Sequence, residues 1–296
     1  MTDESRNKGS GTACRFDRGG GIRMHFRDEG SGDPVVMVHG NPTWSFFYRG
    51  LVAALRDRHR CVVPDHVGMG LSDRPGDGAY AYTLRTRVDD LEALLEHAGV
   101  EERVTLVLHD WGGMIGMAWA ARHPDRVARL VVLNTAAFRL PEGKALPREL
   151  RWVRSTPLGP LLVRGFDLFV RGSVRRCVAR PLPPGVAEQY LRPGGSTDRR
   201  AVLRFVQDIP LRPGDPAWPV LEETEKALPS FRDQPMLVCW GMKDFVFDAG
   251  YLAEWTRRFP EAEVHRFEDA GHWVLEDAGA EIAPLVRRFL EAHPIP

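Results

Sequence analysis

The sequence predicts an α/β fold: a mostly parallel sheet with helices on both faces and a long helical insertion in its second half. Three observations predict it. Apolar runs of strand length alternate with stretches of helical spacing through residues 34–134, and again through 235–290. Alternation of that kind builds a parallel sheet covered on both sides. The apolar run Val104–Leu108 ends in His109-Asp110-Trp111-Gly112-Gly113, an acid at a sharp strand-to-helix turn. The alternation then breaks between residues 137 and 230, where prolines recur from Pro141 to Pro229 and no clear strand pattern survives.

In chain order, residues 1–19 read as a disordered N-terminal tail, and Gly19-Gly20-Gly21 makes a turn. The core is expected over 20–136 and 231–296, with 137–230 as a helical lid. Ile22 to Arg27 alternates as an edge strand does. Residues 34–38 form a short buried strand that stops at the turn-rich loop His39-Gly40-Asn41-Pro42-Thr43-Trp44. Phe47, Leu51 and Leu55 have helical spacing, and 60–63 is the next strand. Leu84, Val88, Leu91, Leu94, Leu95 and Ala98 mark an amphipathic helix that Gly99 stops. After the strand 104–108 come a small-residue helix, 114–122, and an apolar strand, 127–134. The lid shows only short helical bursts, such as Leu161, Leu162, Val163, Phe166 and Phe169. Beyond it, 235–240 and 263–267 read as strands and 251–259 as a helix, and Ile282, Leu285, Val286, Phe289 and Leu290 mark the closing helix.

Composition excludes several classes of function. A formal net charge of zero over 296 residues gives no reason to expect nucleic acid, and 43% hydrophobic residues suit a large core. Cys14, Cys61, Cys177 and Cys239 are widely spaced, with no CxxC or metal-like pattern. Three of them lie in apolar or mixed runs, as packed thiols of a cytoplasmic protein do. No metal and no cofactor are expected. The glycine loop Asp65–Asp73 lacks the Lys-Ser/Thr of a P-loop and the spacing of a dinucleotide fingerprint, and reads as a structural turn. The N-terminus has no hydrophobic signal region, and no stretch approaches the ~20 apolar residues of a bilayer span. Between Arg151 and Arg180 seven arginines accompany one acid, Asp167. That is either a solvated basic face with snorkelling stems or a docking surface for a partner or a membrane surface.

The chemistry gathers at three strand ends, in the chain order Asp110, Asp244, His272. This is the nucleophile, acid, base order of the α/β-hydrolase fold, and open α/β sheets place their sites at the carboxyl ends of strands. Asp110 would attack carbon as a carboxylate and form an ester; capping of the following helix is its ordinary alternative. His272 would take a proton from water to break that ester. Asp244 would fix the imidazole tautomer and stabilise the imidazolium. Asp248 is a second acid four residues on, but Asp244 stands directly after its strand. Asn134 ends an earlier strand as an amide and so offers no competing acid. The backbone N–H groups of Asn41 and Trp111 are candidates for an oxyanion hole. The Asn41 amide and the Trp111 indole add two donors, which suits a leaving group that departs as an anion. His39 reads as structural.

These residues carry a resemblance. His39-Gly40-Asn41-Pro42, His109-Asp110-Trp111-Gly112-Gly113, Gly241-Met242-Lys243-Asp244 and Gly271-His272 resemble the haloalkane dehalogenase family over about residues 20–293. The segments 63–73, 110–119 and 133–138 are similar to its OleB branch, the β-lactone decarboxylases of olefin biosynthesis. The resemblance implies an α/β-hydrolase fold with a helical lid inserted after the sixth strand. It implies Asp110 as nucleophile, His272 as base, Asp244 as acid, and Asn41 and Trp111 as the side chains that hold halide. For the branch it implies loss of carbon dioxide from a long-chain cis-β-lactone to leave a cis-alkene. It also implies a small apolar substrate and assembly with a β-lactone synthetase and a reductase; with Pro296 as the last residue, no fused synthetase is expected. The alternatives are a haloalkane dehalogenase acting through an alkyl-enzyme ester, an epoxide hydrolase using Tyr190 as a lid acid, and a non-catalytic assembly subunit.

Overall fold

The computed structural model describes residues 12–101, 103–193 and 198–295. Its sheet contains β1 (Thr12–Asp17), β2 (Arg23–Glu29), β3 (Pro34–Val38), β4 (Arg60–Pro64), β5 (Val104–Asp110), β6 (Val127–Thr135), β7 (Met236–Gly241) and β8 (Glu263–Phe267). They lie in the order β1-β2-β4-β3-β5-β6-β7-β8. The pairs β1–β2 and β2–β4 are antiparallel, and the remaining neighbours are parallel.

The helices between strands set where a site can form. After β3, α1 (Arg49–Leu55) carries the chain outward to β4, and α2 (Leu84–His97) brings it back across β3 to β5. The winding therefore reverses between β3 and β5, and a crevice opens at the carboxyl ends of those two strands. The loop with Asn41 follows β3, and Asp110 ends β5. Next come α3 (Trp111–Arg122), α9 (Ala249–Arg258) between β7 and β8, and α10 (Val274–Ala292). Two helices start on local caps. Thr83 Oγ1 accepts the Thr86 N–H at α2, and Asp248 Oδ1 accepts the Gly250 N–H at α9.

Strand periodicity divides the core into two layers. Val36, Val38, Leu106, Leu108, Val132 and Val238 pack on one face with α2, α3 and α9. Their neighbours Val35, Met37, Val107, Val131, Leu133 and Leu237 pack on the other with α1 and α10. Every residue of β5 and β6 is buried, so both strands read as apolar runs rather than alternations. Cys61, Cys177 and Cys239 are buried in this packing.

Between β6 and β7 lie α4 (Arg148–Ser155), α5 (Leu168–Arg176), α6 (Pro184–Leu191), α7 (Arg200–Gln207) and α8 (Trp218–Ala227). Among the described residues no strand interrupts them.

The structure corrects the N-terminal reading. Residues 12–17, expected within a disordered tail over 1–19, form β1, which pairs with β2 from Thr12↔Asp28 to Asp17↔Arg23. β2 is thus interior and β1 is the edge. The cause is non-local, since β1 gains its order from the β2 ladder and from Cys14 and Phe16 packed on the core. Residues 1–11 of the expected tail lie outside the described residues.

Candidate active site

Asp110 sits at the turn from β5 into α3 with φ 52° and ψ −126°. A non-glycine residue there is strained by roughly 1–3 kcal/mol, and such strain clusters at functional sites. Its carboxylate makes no capping bond to α3, so capping does not explain it. Glycines make room for the turn. A Cβ on Gly40 would collide with the Asp110 carboxylate, and one on Gly113 with the Thr135 side chain. Thr135 Oγ1 also donates to the Asp110 carbonyl. Asp110 Oδ1 accepts the Asn41 backbone N–H at 2.5 Å. Its Oδ2 lies 3.5 Å from Nε2 of His272.

His272 follows β8 and Asp244 follows β7. The two loops are tied together by backbone bonds from Met242 N to Phe267 O (3.0 Å) and from Lys243 N to Ala270 O (2.9 Å). Nδ1 of His272 is 2.8 Å from Asp244 Oδ2. The other oxygen, Oδ1, accepts the N–H groups of Val246 (2.7 Å) and Phe247 (3.0 Å). Burial alone would lower the His272 pKa. The Asp244 charge, the Asp110 hydrogen bond and the Asp244 hydrogen bond overcome it and raise the pKa to about 10. Burial alone would raise the Asp110 carboxyl, but His272 and the Asn41 N–H leave it below the usual carboxylate range. At neutral pH the resting site therefore pairs an imidazolium with the Asp110 carboxylate.

Two further residues hold this group, and the sequence did not point to them. Asn134 Nδ2 donates to Asp244 Oδ2 (2.9 Å) and to the Gly241 carbonyl (3.0 Å), and its Oδ1 accepts the Gly241 N–H (2.8 Å). The signal available was a polar side chain ending an apolar strand. His109 donates Nε2–H to the His272 carbonyl at 2.8 Å. Burial first, and then the His272 charge, push its pKa down to about 3, so it stays neutral.

The Asn41 loop rests on buried imidazoles. His39 donates Nδ1–H to the Gly40 carbonyl (2.8 Å), and its Nε2 accepts the His66 backbone N–H (3.1 Å). Asp65 accepts from His25 Nδ1 (2.8 Å), Ser45 N (2.6 Å) and Leu71 N (2.9 Å). The 65–73 loop is the structural turn expected. The Asn41 amide Nδ2 donates to the Val202 carbonyl of α7 at 3.2 Å, and Oδ1 is buried without a partner. One amide N–H thus remains for another acceptor. The Trp111 ring packs on Phe205 at 5.4 Å between centroids.

Asp110, His272, Asn41 and Trp111 all line one cavity of about 690 Å³. Its wall is mainly apolar, with Phe138, Leu146, Val163, Phe169, Leu221 and Phe247 among the side chains. Much of it comes from the segment between β6 and β7. Tyr190, the only tyrosine within 137–230, does not line it. Its hydroxyl donates to Glu276 and its ring packs on Trp273. The acid required for epoxide opening is therefore not supplied by Tyr190.

A carboxylate beside an apolar cavity, an imidazole 3.5 Å away and an acid behind it match what the fold order suggests. Residues 33–279 match the alpha/beta hydrolase fold family. The chain belongs to this family. Within it, the chain is 52% identical over 274 residues to a cis-3-alkyl-4-alkyloxetan-2-one decarboxylase of Shewanella oneidensis, covering 91% of this chain and 86% of that protein. It is 34% identical over 270 residues to haloalkane dehalogenase 2 of Mycobacterium bovis, covering 90% and 91%. Among solved structures, haloalkane dehalogenase DatA of Agrobacterium tumefaciens superposes with a TM-score of 0.83 at 26% identity, covering 95% of this chain and 97% of that one. In this α/β hydrolase the mostly parallel sheet flanked by helices follows the expectation from the sequence.

Proposed function

We propose that this chain decarboxylates a cis-β-lactone bearing two alkyl chains and releases a cis-alkene. The 52% identity to the Shewanella oneidensis decarboxylase carries the reading, and the geometry supports it. Asp110 is the nucleophile. With Oδ1 held by the Asn41 N–H, Oδ2 attacks the ring carbon that bears oxygen. That carbon–oxygen bond breaks with inversion, and the ring opens to a carboxylate. The bond to the carboxylate carbon then breaks, and its electron pair forms the double bond. The carbon–oxygen bond to Asp110 breaks and returns its pair to the aspartate. Carbon dioxide and alkene leave, and no water is consumed. Inversion followed by anti departure keeps both alkyl chains on one side, so a cis ring gives a cis alkene.

The remaining groups have matching roles. The Trp111 indole and the remaining Asn41 amide N–H receive the new carboxylate. His272, cationic in the resting site beside Asp244 and Asp110, keeps Asp244 as its partner while Asp110 is an ester. The 137–230 segment acts as a lid whose apolar side chains take the alkyl chains. An enzyme that closes a β-hydroxy acid must supply such a substrate, which fits assembly with a lactone synthetase and a reductase.

The 34% identity to a haloalkane dehalogenase favours a second reading. Asp110 would displace halide, and water would hydrolyse the ester. Esterification removes the Asp110 charge and hydrogen bond that help raise the His272 pKa, which frees the imidazole to act as base. The test is a cis-β-lactone labelled with carbon-13 at its carbonyl, followed by NMR. Labelled carbon dioxide and bicarbonate support decarboxylation; labelled β-hydroxy acid contradicts it.

A further inference from the structure

Among the described residues, the large exposed hydrophobic side chains are Leu71, Trp152, Leu158, Leu161, Phe166 and Leu168. Five of these six fall within residues 152–168. Phe166 is 60% exposed and Leu158 54%, where large apolar side chains rarely cluster without a partner. The patch adjoins the cavity, because Trp152 and Leu168 also line it. Leu158 and Leu161 share one turn, closed by the bond from Leu162 N to Leu158 O (3.1 Å).

Exposed charge within residues 150–180 has one sign, and the acid just before it, Glu149, is paired with Arg176 at 3.0 Å. Arg151, Arg171 and Arg175 are exposed, and none makes an ion pair among the described residues. The single acid from 150 to 180, Asp167, is 2% exposed and is held by Arg199 through two bonds of 2.7 and 3.0 Å. It is hidden and neutralised. The surface of this stretch therefore shows apolar side chains and unpaired guanidinium groups, with no exposed carboxylate.

We propose that residues 151–175 dock this protein on the surface of an anionic phospholipid bilayer. Leucine and aromatic side chains enter the boundary between headgroups and acyl chains, as they do in interfacial helices. The guanidinium groups bind phosphate oxygens, for which their planar fork is suited. The anionic leaflet attracts them. Docking would set the cavity wall against the layer into which long-chain compounds partition. It does not depend on the reaction proposed above.

Co-sedimentation of the full chain with phosphatidylcholine vesicles, with and without phosphatidylglycerol, tests this. The expected result is binding to the anionic vesicles that weakens with salt and is slight for phosphatidylcholine alone. The triple variant Arg151→Glu, Arg171→Glu, Arg175→Glu should bind at least roughly tenfold more weakly. The double variant Leu161→Ser, Phe166→Ser should also lose binding. Both variants should keep the wild-type melting transition, since none of these side chains is buried. No sedimentation of the wild-type chain with anionic vesicles overturns the proposal, and so does equal sedimentation of the triple variant. Capture of a protein partner by these same arginines, without vesicle binding, overturns it in favour of a protein interface.

Discussion

Oδ2 of Asp110 faces Nε2 of His272 across 3.5 Å. The other Asp110 oxygen is held by the Asn41 backbone, so the carboxylate is oriented with one oxygen directed at the imidazole side of the cavity. His272 is fixed from behind by Asp244 at 2.8 Å. Each strand end contributes one group to this line.

The charge state of that line has a pH consequence. His272 is raised from 6.5 to about 10, so its contribution to stability is complete below an unfolded value near 6.5 and is lost as pH rises through about 10. Asp110 shifts the other way, and its contribution is lost as pH falls through its lowered value. Thermal melts of the wild-type chain and of Asp244→Asn should differ most near pH 6.5, and the gap should narrow toward pH 10. A gap constant with pH would contradict a cationic His272.

Trp111→Phe keeps a ring against Phe205 but removes the indole N–H. Loss of one donor to a developing anion lowers kcat by ~10²–10³-fold in comparable sites. The expected outcome is a drop in turnover of that order with little change in melting temperature. Turnover within twofold of wild type would remove the indole from the anion site.

Asn134→Ala strips Asp244 and both backbone groups of Gly241 of a partner. Unsatisfied buried polar groups cost about 1–3 kcal/mol each. Chemical denaturation should report a loss of about 2–4 kcal/mol. Turnover should fall at least roughly tenfold as Asp244 loses its position, and Asn134→Asp should not restore it, since a second carboxylate beside Asp244 is repelled.

Gly40→Ala places a methyl group where the Asp110 carboxylate lies. A reacting group displaced by about 1 Å loses on the order of 10²-fold in rate. Activity should fall by at least that factor in whatever fraction remains folded, as judged by circular dichroism. Normal activity would mean that the elbow tolerates a Cβ and that the nucleophile is placed differently.

Much of this was legible in the residues themselves. β5 and β6 are fully buried and therefore continuous apolar runs; α2 has a clear helical face; Asp110 ends β5, and Asp244 and His272 lie in the loops that follow β7 and β8. β1 was not legible, because its order comes from pairing with β2 across a glycine turn and, among its described side chains, from Cys14 and Phe16 packed on the core. Asn134 and His109 escaped because their roles are defined by groups 107–163 residues away in the chain. A local pattern cannot carry that information. The helices of the 137–230 segment are short and proline-punctuated, so their spacing gave the class of structure but not their ends. Val202, on one of those helices, takes one N–H of the Asn41 amide, a contact that no local pattern around Asn41 carries.

The most direct test is incubation of the purified chain with a long-chain cis-β-lactone, with alkene measured by gas chromatography and Asp110→Ala as control. The account predicts cis-alkene from the wild-type chain and none from the variant. Absence of alkene, together with halide release from 1-haloalkanes, would contradict it.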